Sequence, residues 1–401
     1  MVEHERKYVI VGGGLAGASA VEGIREVDDR ASITLIGAEQ HLPYNRPPLT
    51  KKLWFGKQTV EDIFVEKADY YSTNGAEVVL DVRAVEVDAI AKTVRVQTED
   101  IYHYDKLLLA TGGAPRRLPV PGGELDGVCY YRYLDDYEYI RERADDGKSA
   151  IVIGGGFIGS EIAAALSMNG VDVSLIFPDP YICARVLPRS LAFAVQEDFG
   201  KHGITIFSED SVESIEKNGQ QYVAHTKSGG GLKADIVIVG IGLTPSTALA
   251  QTAGLQIDNG IVVNERLQSS NPDIYAAGDN AKYPYQSLGM ATRVEHWDNA
   301  LNQGKQAGRN MAGAGEEYTY MPYFFSDLFD FGYEAVGEVD SRLDIVIDWQ
   351  KENQKGVVYY LRDRRVRGAM MVNVWDKVPD ARELIKSGRQ MDAGSLKGAI
   401  G

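Results

Sequence analysis

The run Lys7-Tyr-Val-Ile-Val-Gly-Gly-Gly-Leu-Ala-Gly17 returns as Ala150-Ile-Val-Ile-Gly-Gly-Gly-Phe-Ile-Gly-Ser-Glu161, and no other feature of the chain narrows its fold as much. In each copy a β-branched, strand-like run ends on glycines in the G-x-G-x-x-G spacing: Gly12, Gly14 and Gly17, then Gly154, Gly156 and Gly159. The first glycine of each trio suits a tight turn, the second a close approach of backbone to a pyrophosphate, the third close helix packing. A helix from Leu15 to about Glu26, with Leu15 and Ala16 in its first turn, would aim N–H groups and a partial positive charge at that pyrophosphate. Phe157 and Ile158 open the equivalent helix of the second copy. The next strand also repeats: Ile33-Thr-Leu-Ile-Gly-Ala-Glu39 and Val173-Ser-Leu-Ile-Phe-Pro-Asp179 both end on an acid, where a carboxylate can accept from an adenosine ribose. Two such units predict two dinucleotide sites.

A chain of 401 residues exceeds one ordinary core and suggests two to three domains. Its 44% hydrophobic and 25% charged content is that of a soluble globular protein. No apolar run reaches a membrane span and no secretory leader precedes the first strand, so a cytoplasmic location is expected. The net charge of −15 argues against nucleic-acid binding. Only Cys129 and Cys183 occur, which argues against a disulfide framework and a Cys-based metal or dithiol site; no metal is expected.

Between the repeats lies His41-Leu-Pro-Tyr-Asn-Arg-Pro-Pro-Leu-Thr-Lys51, stiffened by proline and suited to presenting Arg46 and Lys51 to a ligand. Alternation at Glu77–Leu80, Ala84–Asp88 and Thr93–Gln97 predicts a short antiparallel meander. The Tyr104 to Pro115 stretch is a buried strand stopping on Thr111 and Gly112, where it can lie against a flat cofactor. Proline and glycine between Pro115 and Gly123 mark a linker. The second unit closes on a strand and Gly-Pro turn containing Gly242. Pro272-Asp-Ile-Tyr-Ala-Ala-Gly-Asp279 is a strand ending where Asp279 could accept from a polyol, and a helix follows from about Glu295 to Met311. Beyond Pro322, four strand-like runs and a helix from Pro379 to Lys386 suggest a small tail domain. The expected architecture is α/β, with two Rossmann-like dinucleotide-binding domains, the second (119–244) inserted in the first (1–118 and 245–322), and a C-terminal α+β domain (323–401).

These motifs resemble the two-dinucleotide flavoproteins of the glutathione-reductase fold, over essentially the whole chain. Pro43-Tyr-Asn-Arg-Pro-Pro-Leu-Thr-Lys51, Leu53-Trp-Phe, Gly154–Glu161, Arg293-Val-Glu-His-Trp297 and Phe325-Ser-Asp-Leu are similar to the branch of apoptosis-inducing factor and the ferredoxin reductases of bacterial oxygenase systems. The resemblance implies that the first unit holds FAD and the inserted unit holds NAD(P)H. It implies an ion pair of Lys51 and Glu161 beside flavin N5, and a gating role for Phe157 at the flavin face. Trp297 matches a ferredoxin-reductase tryptophan near the nicotinamide, whereas His296 follows apoptosis-inducing factor. It further implies Glu39, Arg46 and Asp279 as ribose, pyrophosphate and ribityl contacts, Gly278 beside them, and the helix starting at Glu295 pointing its positive end at the flavin. Asp179 would accept from the NADH 2′-OH and repel a 2′-phosphate, so NADH is expected over NADPH. Arg185 and Arg189 stand close enough downstream to reach a phosphate instead, or simply face solvent.

Lacking the cysteine pair or single redox cysteine of related disulfide reductases and oxidases, the chain is expected to pass electrons directly from flavin. The primary expectation is an NADH-dependent FAD oxidoreductase passing single electrons to an iron–sulfur protein such as ferredoxin or rubredoxin, with Arg362, Arg364, Arg365 and Arg367 docking an acidic carrier. The alternative is a redox-sensing binding module like apoptosis-inducing factor, forming a long-lived charge-transfer complex with NADH that alters dimerisation or partner binding, and using quinone or oxygen as acceptor.

Overall fold

The computed structural model describes residues 2–400, and these divide into two compact units, each assembled from three stretches of chain. The first comprises residues up to Asn45, Val60–Ala114 and Thr244–Pro322; the second comprises Arg46–Thr59, Pro115–Leu243 and the residues from Tyr323 on. The proline-stiffened segment from Arg46 and the tail sheet therefore both group with the second repeat.

In the first unit, Glu3–Val11 lies at the centre of a seven-stranded sheet. It pairs in parallel with Ile33–Ile36 on one side and Ile101–Leu109 on the other, so that Ile10 faces Leu35 and Leu108. Runs buried on both faces are what a parallel sheet requires, and Val9, Ile10, Leu35 and Leu107–Leu109 are fully buried. Ile101–Leu109 is shared: its first residues pair antiparallel with Thr93–Val96, its last three in parallel with Ile274–Ala276. The strand ends carrying Gly12, Thr111 and Gly278 are thereby gathered at one edge. Of the expected meander only Ala84–Asp88 and Thr93–Val96 pair antiparallel, continuing onto Ile101–Leu109, whereas Ala76–Val79 joins Ile33–Ile36 in parallel. A four-residue alternating run fits either pairing, and the crossover through the helix Ala68–Thr73 selects the parallel one.

The second unit contains a five-stranded parallel sheet ordered Thr205–Ser208, Asp172–Phe177, Ser149–Ile153, Ile236–Val239, Val128–Tyr130, and a three-stranded antiparallel sheet. Its tail portion is an antiparallel sheet ordered Tyr323–Leu328, Phe331–Gly337, Arg365–Val372, Lys355–Arg362, Asp344–Lys351, packed with the helix Val378–Ser387. The edge strand Tyr323–Leu328 was not among the four expected: its run of three aromatics lacks clear alternation.

Candidate active site

Each glycine turn is built by steric necessity. Gly12 has φ +130°, and a Cβ there would lie 2.1 Å from the Ala110 carbonyl oxygen; one at Gly17 would lie 2.1 Å from the Gly12 oxygen. The helix Leu15–Arg25 starts from Gly14 in an extended conformation (φ −97°), with no capping side chain and no acid in its first turn. Its leading N–H groups and dipole thus remain available to an anion, with Leu15 and Ala16 buried beneath. The second copy repeats the design: Gly154 has φ +120°, a Cβ on Gly159 would lie 1.9 Å from the Gly154 oxygen, and Gly156 starts the helix Phe157–Met168 uncapped. At Gly156 a Cβ would meet nothing within 4 Å. That open, anion-facing cradle is the shape a pyrophosphate needs, so both turns fit a dinucleotide.

Around the first turn, Thr111 donates to the Ser246 carbonyl (2.7 Å) and accepts from the Asn280 amide (2.9 Å). Gly112 (φ +61°) accepts from the Ser246 N–H. Gly278 (φ +87°) packs so tightly that a Cβ would lie 3.2 Å from Ala16 Cβ, and its N–H donates to Gln303. The Glu39 carboxylate accepts from Tyr44 OH at 2.5 Å, and Arg293 holds both the Asp279 carbonyl and the Glu295 carboxylate. The helix at the end of this unit starts at Trp297, two residues later than expected, because His296 adopts extended backbone (φ −111°, ψ 147°) as its N-cap. Burial pushes the His296 imidazole down from 6.5 to about 4, with Asp279 opposing. Trp297 Nε1 donates to Asn45 Oδ1 at 2.6 Å.

Within the second unit, Lys51 Nζ lies 3.1 Å from Glu161 Oε1, with both side chains 11% exposed. Their sequence separation of 110 is bridged because the turn at Pro47–Thr50 packs on the helix bearing Glu161. Three further contacts complete the cluster: Thr50 Oγ1 donates to Glu161 Oε2 and Ser326 Oγ to Glu161 Oε1, each at 2.6 Å, and Lys51 Nζ sits 4.5 Å from the Phe325 ring centroid. A buried ion pair needs such additional donors to offset its desolvation. Phe157, half-buried, packs against Phe324 with centroids 5.6 Å apart, and Arg46 lies over the Tyr133 ring. Thr50 and Ser326 were missed by sequence reasoning, although each lies inside a quoted motif.

Farther along the second unit, Asp179 is exposed just beyond the strand Asp172–Phe177, its carbonyl accepting from Glu209 N–H. Ile158 is half-buried, and Gly242 (φ +97°) accepts from the Arg116 N–H. Arg185 is exposed and accepts from the Ser341 N–H through its backbone carbonyl; the Asp340 carboxyl is held below its ordinary value mainly by the Arg342 hydrogen bond, with a small contribution from the Arg185 charge, and Arg189 lies over the Phe193 ring. Of the expected docking arginines, Arg362 and Arg367 both pair with Glu338; Arg364 and Arg365 are exposed. Both cysteines are buried; burial drives the Cys183 thiol up to about 12 and that of Cys129 higher still. Neither can act as a thiolate near neutral pH.

A model of the pyridine nucleotide-disulphide oxidoreductase family matches residues 6–304. The chain belongs to that family. A second model, the C-terminal domain of mitochondrion-associated apoptosis-inducing factor, matches this oxidoreductase over residues 307–355 and 347–387. Apoptosis-inducing factor 1 of Dictyostelium discoideum is 33% identical, covering 98% of the chain and 81% of the relative. Rubredoxin-NAD(+) reductase of Pseudomonas putida is 31% identical, covering 91% and 95%. The crystal structure of the covalent putidaredoxin reductase–putidaredoxin complex superposes with a TM-score of 0.90 at 30% identity, covering 97% of this chain and 95% of that one. The protein is an FAD-dependent NAD(P)H oxidoreductase, with FAD and NADH as cofactors. No helix among the described residues is long and apolar enough to cross a membrane.

Proposed function

We propose that this oxidoreductase takes hydride from NADH in the cytoplasm and delivers single electrons to a small iron–sulfur protein of the ferredoxin or rubredoxin kind. The observation that carries the reading is the inertness of both thiols: buried and held protonated, neither offers the relay through which disulfide-reducing relatives pass electrons. FAD, when bound, supplies the conversion of a hydride into separately released electrons. The chain's own part is to hold and orient. In this reading the Gly12–Gly17 turn, Glu39, Thr111, Gly112 and Gly278–Asp279 hold FAD, and the Gly154–Gly159 turn, Gly242 and Asp179 hold NADH. Lys51 and Glu161 keep the hydride-transfer face polar while excluding water. The positive end of the helix at Trp297 favours negative charge on the group it faces. Asp179, an exposed carboxylate at the end of the second acid-ending strand, favours NADH over NADPH by accepting from a 2′-OH and repelling a 2′-phosphate. Exposed Arg364 and Arg365 supply a local attraction for an acidic carrier on an otherwise acidic molecule.

Anaerobic stopped-flow mixing tests this: NADH should bleach the flavin faster than NADPH, and the reduced protein should then reduce an added ferredoxin or rubredoxin. Transfer to the carrier no faster than to oxygen would sink the reading. A second reading, a redox-sensing binding module, is favoured by the match of the tail to apoptosis-inducing factor and by Phe157 packed on Phe324. It predicts slow reduction, long-wavelength absorbance that persists in air, and a change of sedimentation on adding NADH.

A further inference from the structure

Glu161 is held by more than its lysine. An ionised carboxylate only accepts hydrogen bonds, so Ser326 and Thr50 must both spend their single hydroxyl proton on it. Each takes a different oxygen at 2.6 Å, within the charge-assisted range. The competing acceptor for Thr50, the Pro47 carbonyl, is 3.4 Å away and too long to divert it. With one hydroxyl on each oxygen the carboxylate plane cannot rotate freely, and Oε1 is kept facing Lys51 Nζ at 3.1 Å. The ammonium also lies over the ring of Phe325, the neighbour of Ser326, at 4.5 Å from its centroid. Thr50 and Ser326 are 8% and 2% exposed, so water cannot readily replace either donor.

We propose that Thr50 and Ser326 are positioning residues for hydride transfer, fixing the Glu161 carboxylate and through it the Lys51 ammonium. The tail sheet, which supplies Ser326 and Phe325, is then a working part of the reaction site. This rests on the reading of Lys51 and Glu161 as hydride-transfer groups. A purely structural serine would alter stability when removed but would not act through Glu161.

The test uses the holoprotein and the variants Ser326→Ala and Thr50→Val, with Ser326→Thr and Thr50→Ser as conservative controls. Infrared carboxylate bands of the oxidised protein without NADH are assigned to Glu161 by their loss in Glu161→Gln. Those bands should shift in Ser326→Ala and Thr50→Val and return in the conservative variants. The limiting rate of flavin reduction should fall about tenfold in Ser326→Ala and in Thr50→Val but not in the conservative variants, with half-saturation by NADH unchanged within about twofold. In a Glu161→Ala background, Ser326→Ala should cause no further loss. Unshifted bands, or an equal Ser326→Ala loss with and without Glu161, would overturn the proposal. If NADH fails to reduce the wild type, the proposed function falls, and the infrared bands by themselves decide whether the hydroxyls hold Glu161.

Discussion

A methyl group added at Gly12 would stand 2.1 Å from a backbone oxygen with φ at +130°, whereas one at Gly156 would stand in open space at φ −85°. The same substitution should therefore have opposite consequences in the two repeats. Gly12→Ala should lose roughly 2–4 kcal/mol of stability, read by chemical denaturation. Gly156→Ala should stay within about 0.5 kcal/mol of wild type, yet raise the KM for NADH about tenfold by filling the space a phosphate needs. An unchanged KM would contradict the assignment of that turn. His296 gives a pH prediction. Its imidazole titrates near 4 when folded and near 6.5 when unfolded, so below 6.5 the unfolded chain gains a proton that the native one does not. Stability is complete above about 6.5 and declines as pH falls towards 4, by at most about 3 kcal/mol. Urea midpoints across that window should show the decline, and His296→Gln should flatten it. Lys51 and Glu161 were legible because each lies in a motif with a recognised pattern. Ser326 was not: 165 residues separate it from Glu161, and nothing in a serine's identity signals a distant carboxylate.

At the level of elements, the helices Leu15–Arg25 and Trp297–Met311 meet through glycine. Cβ atoms on Gly23, Gly304 and Gly308 would lie 2.0, 2.2 and 2.2 Å from carbonyl oxygens of Lys305, Ala16 and Ala20. Backbone meets backbone here, so no side chain can yield. Gly308→Ala should cost about 2 kcal/mol and lower the melting temperature by roughly 4–8 °C, measured calorimetrically. A shift below one degree would mean that the two helices slide apart freely. The long strands and both nucleotide-turn helices could be read from the sequence because hydrophobic periodicity and glycine spacing agreed. Ala76–Val79 could not be given its partner, since four alternating residues specify a pleat but not a neighbour. Tyr323–Leu328 was hidden by consecutive aromatics, two of which contact partners elsewhere in its unit: Phe324 against Phe157, Phe325 beside Lys51.

For the whole molecule, the buried thiols make electron flow independent of sulfur chemistry. Treatment with N-ethylmaleimide, or replacement of Cys129 and Cys183 by alanine, should leave NADH-driven reduction of an acceptor within about twofold of wild type once folding is allowed for. Loss of turnover with folding intact would point to an overlooked thiol relay. The chain crosses between its two units at residues 45/46, 59/60, 114/115, 243/244 and 322/323, so neither unit is a continuous stretch. That arrangement sets a timetable during synthesis. At about 5–20 residues per second, Ser326 is made roughly 8–33 s after Glu161. Throughout that interval the nascent protein already has both glycine turns and Lys51, but lacks the hydroxyl and the aromatic ring that complete the Glu161 cluster. A ribosome stalled just before Tyr323 would therefore carry nearly every element proposed to bind nucleotide, with the Glu161 cluster unfinished.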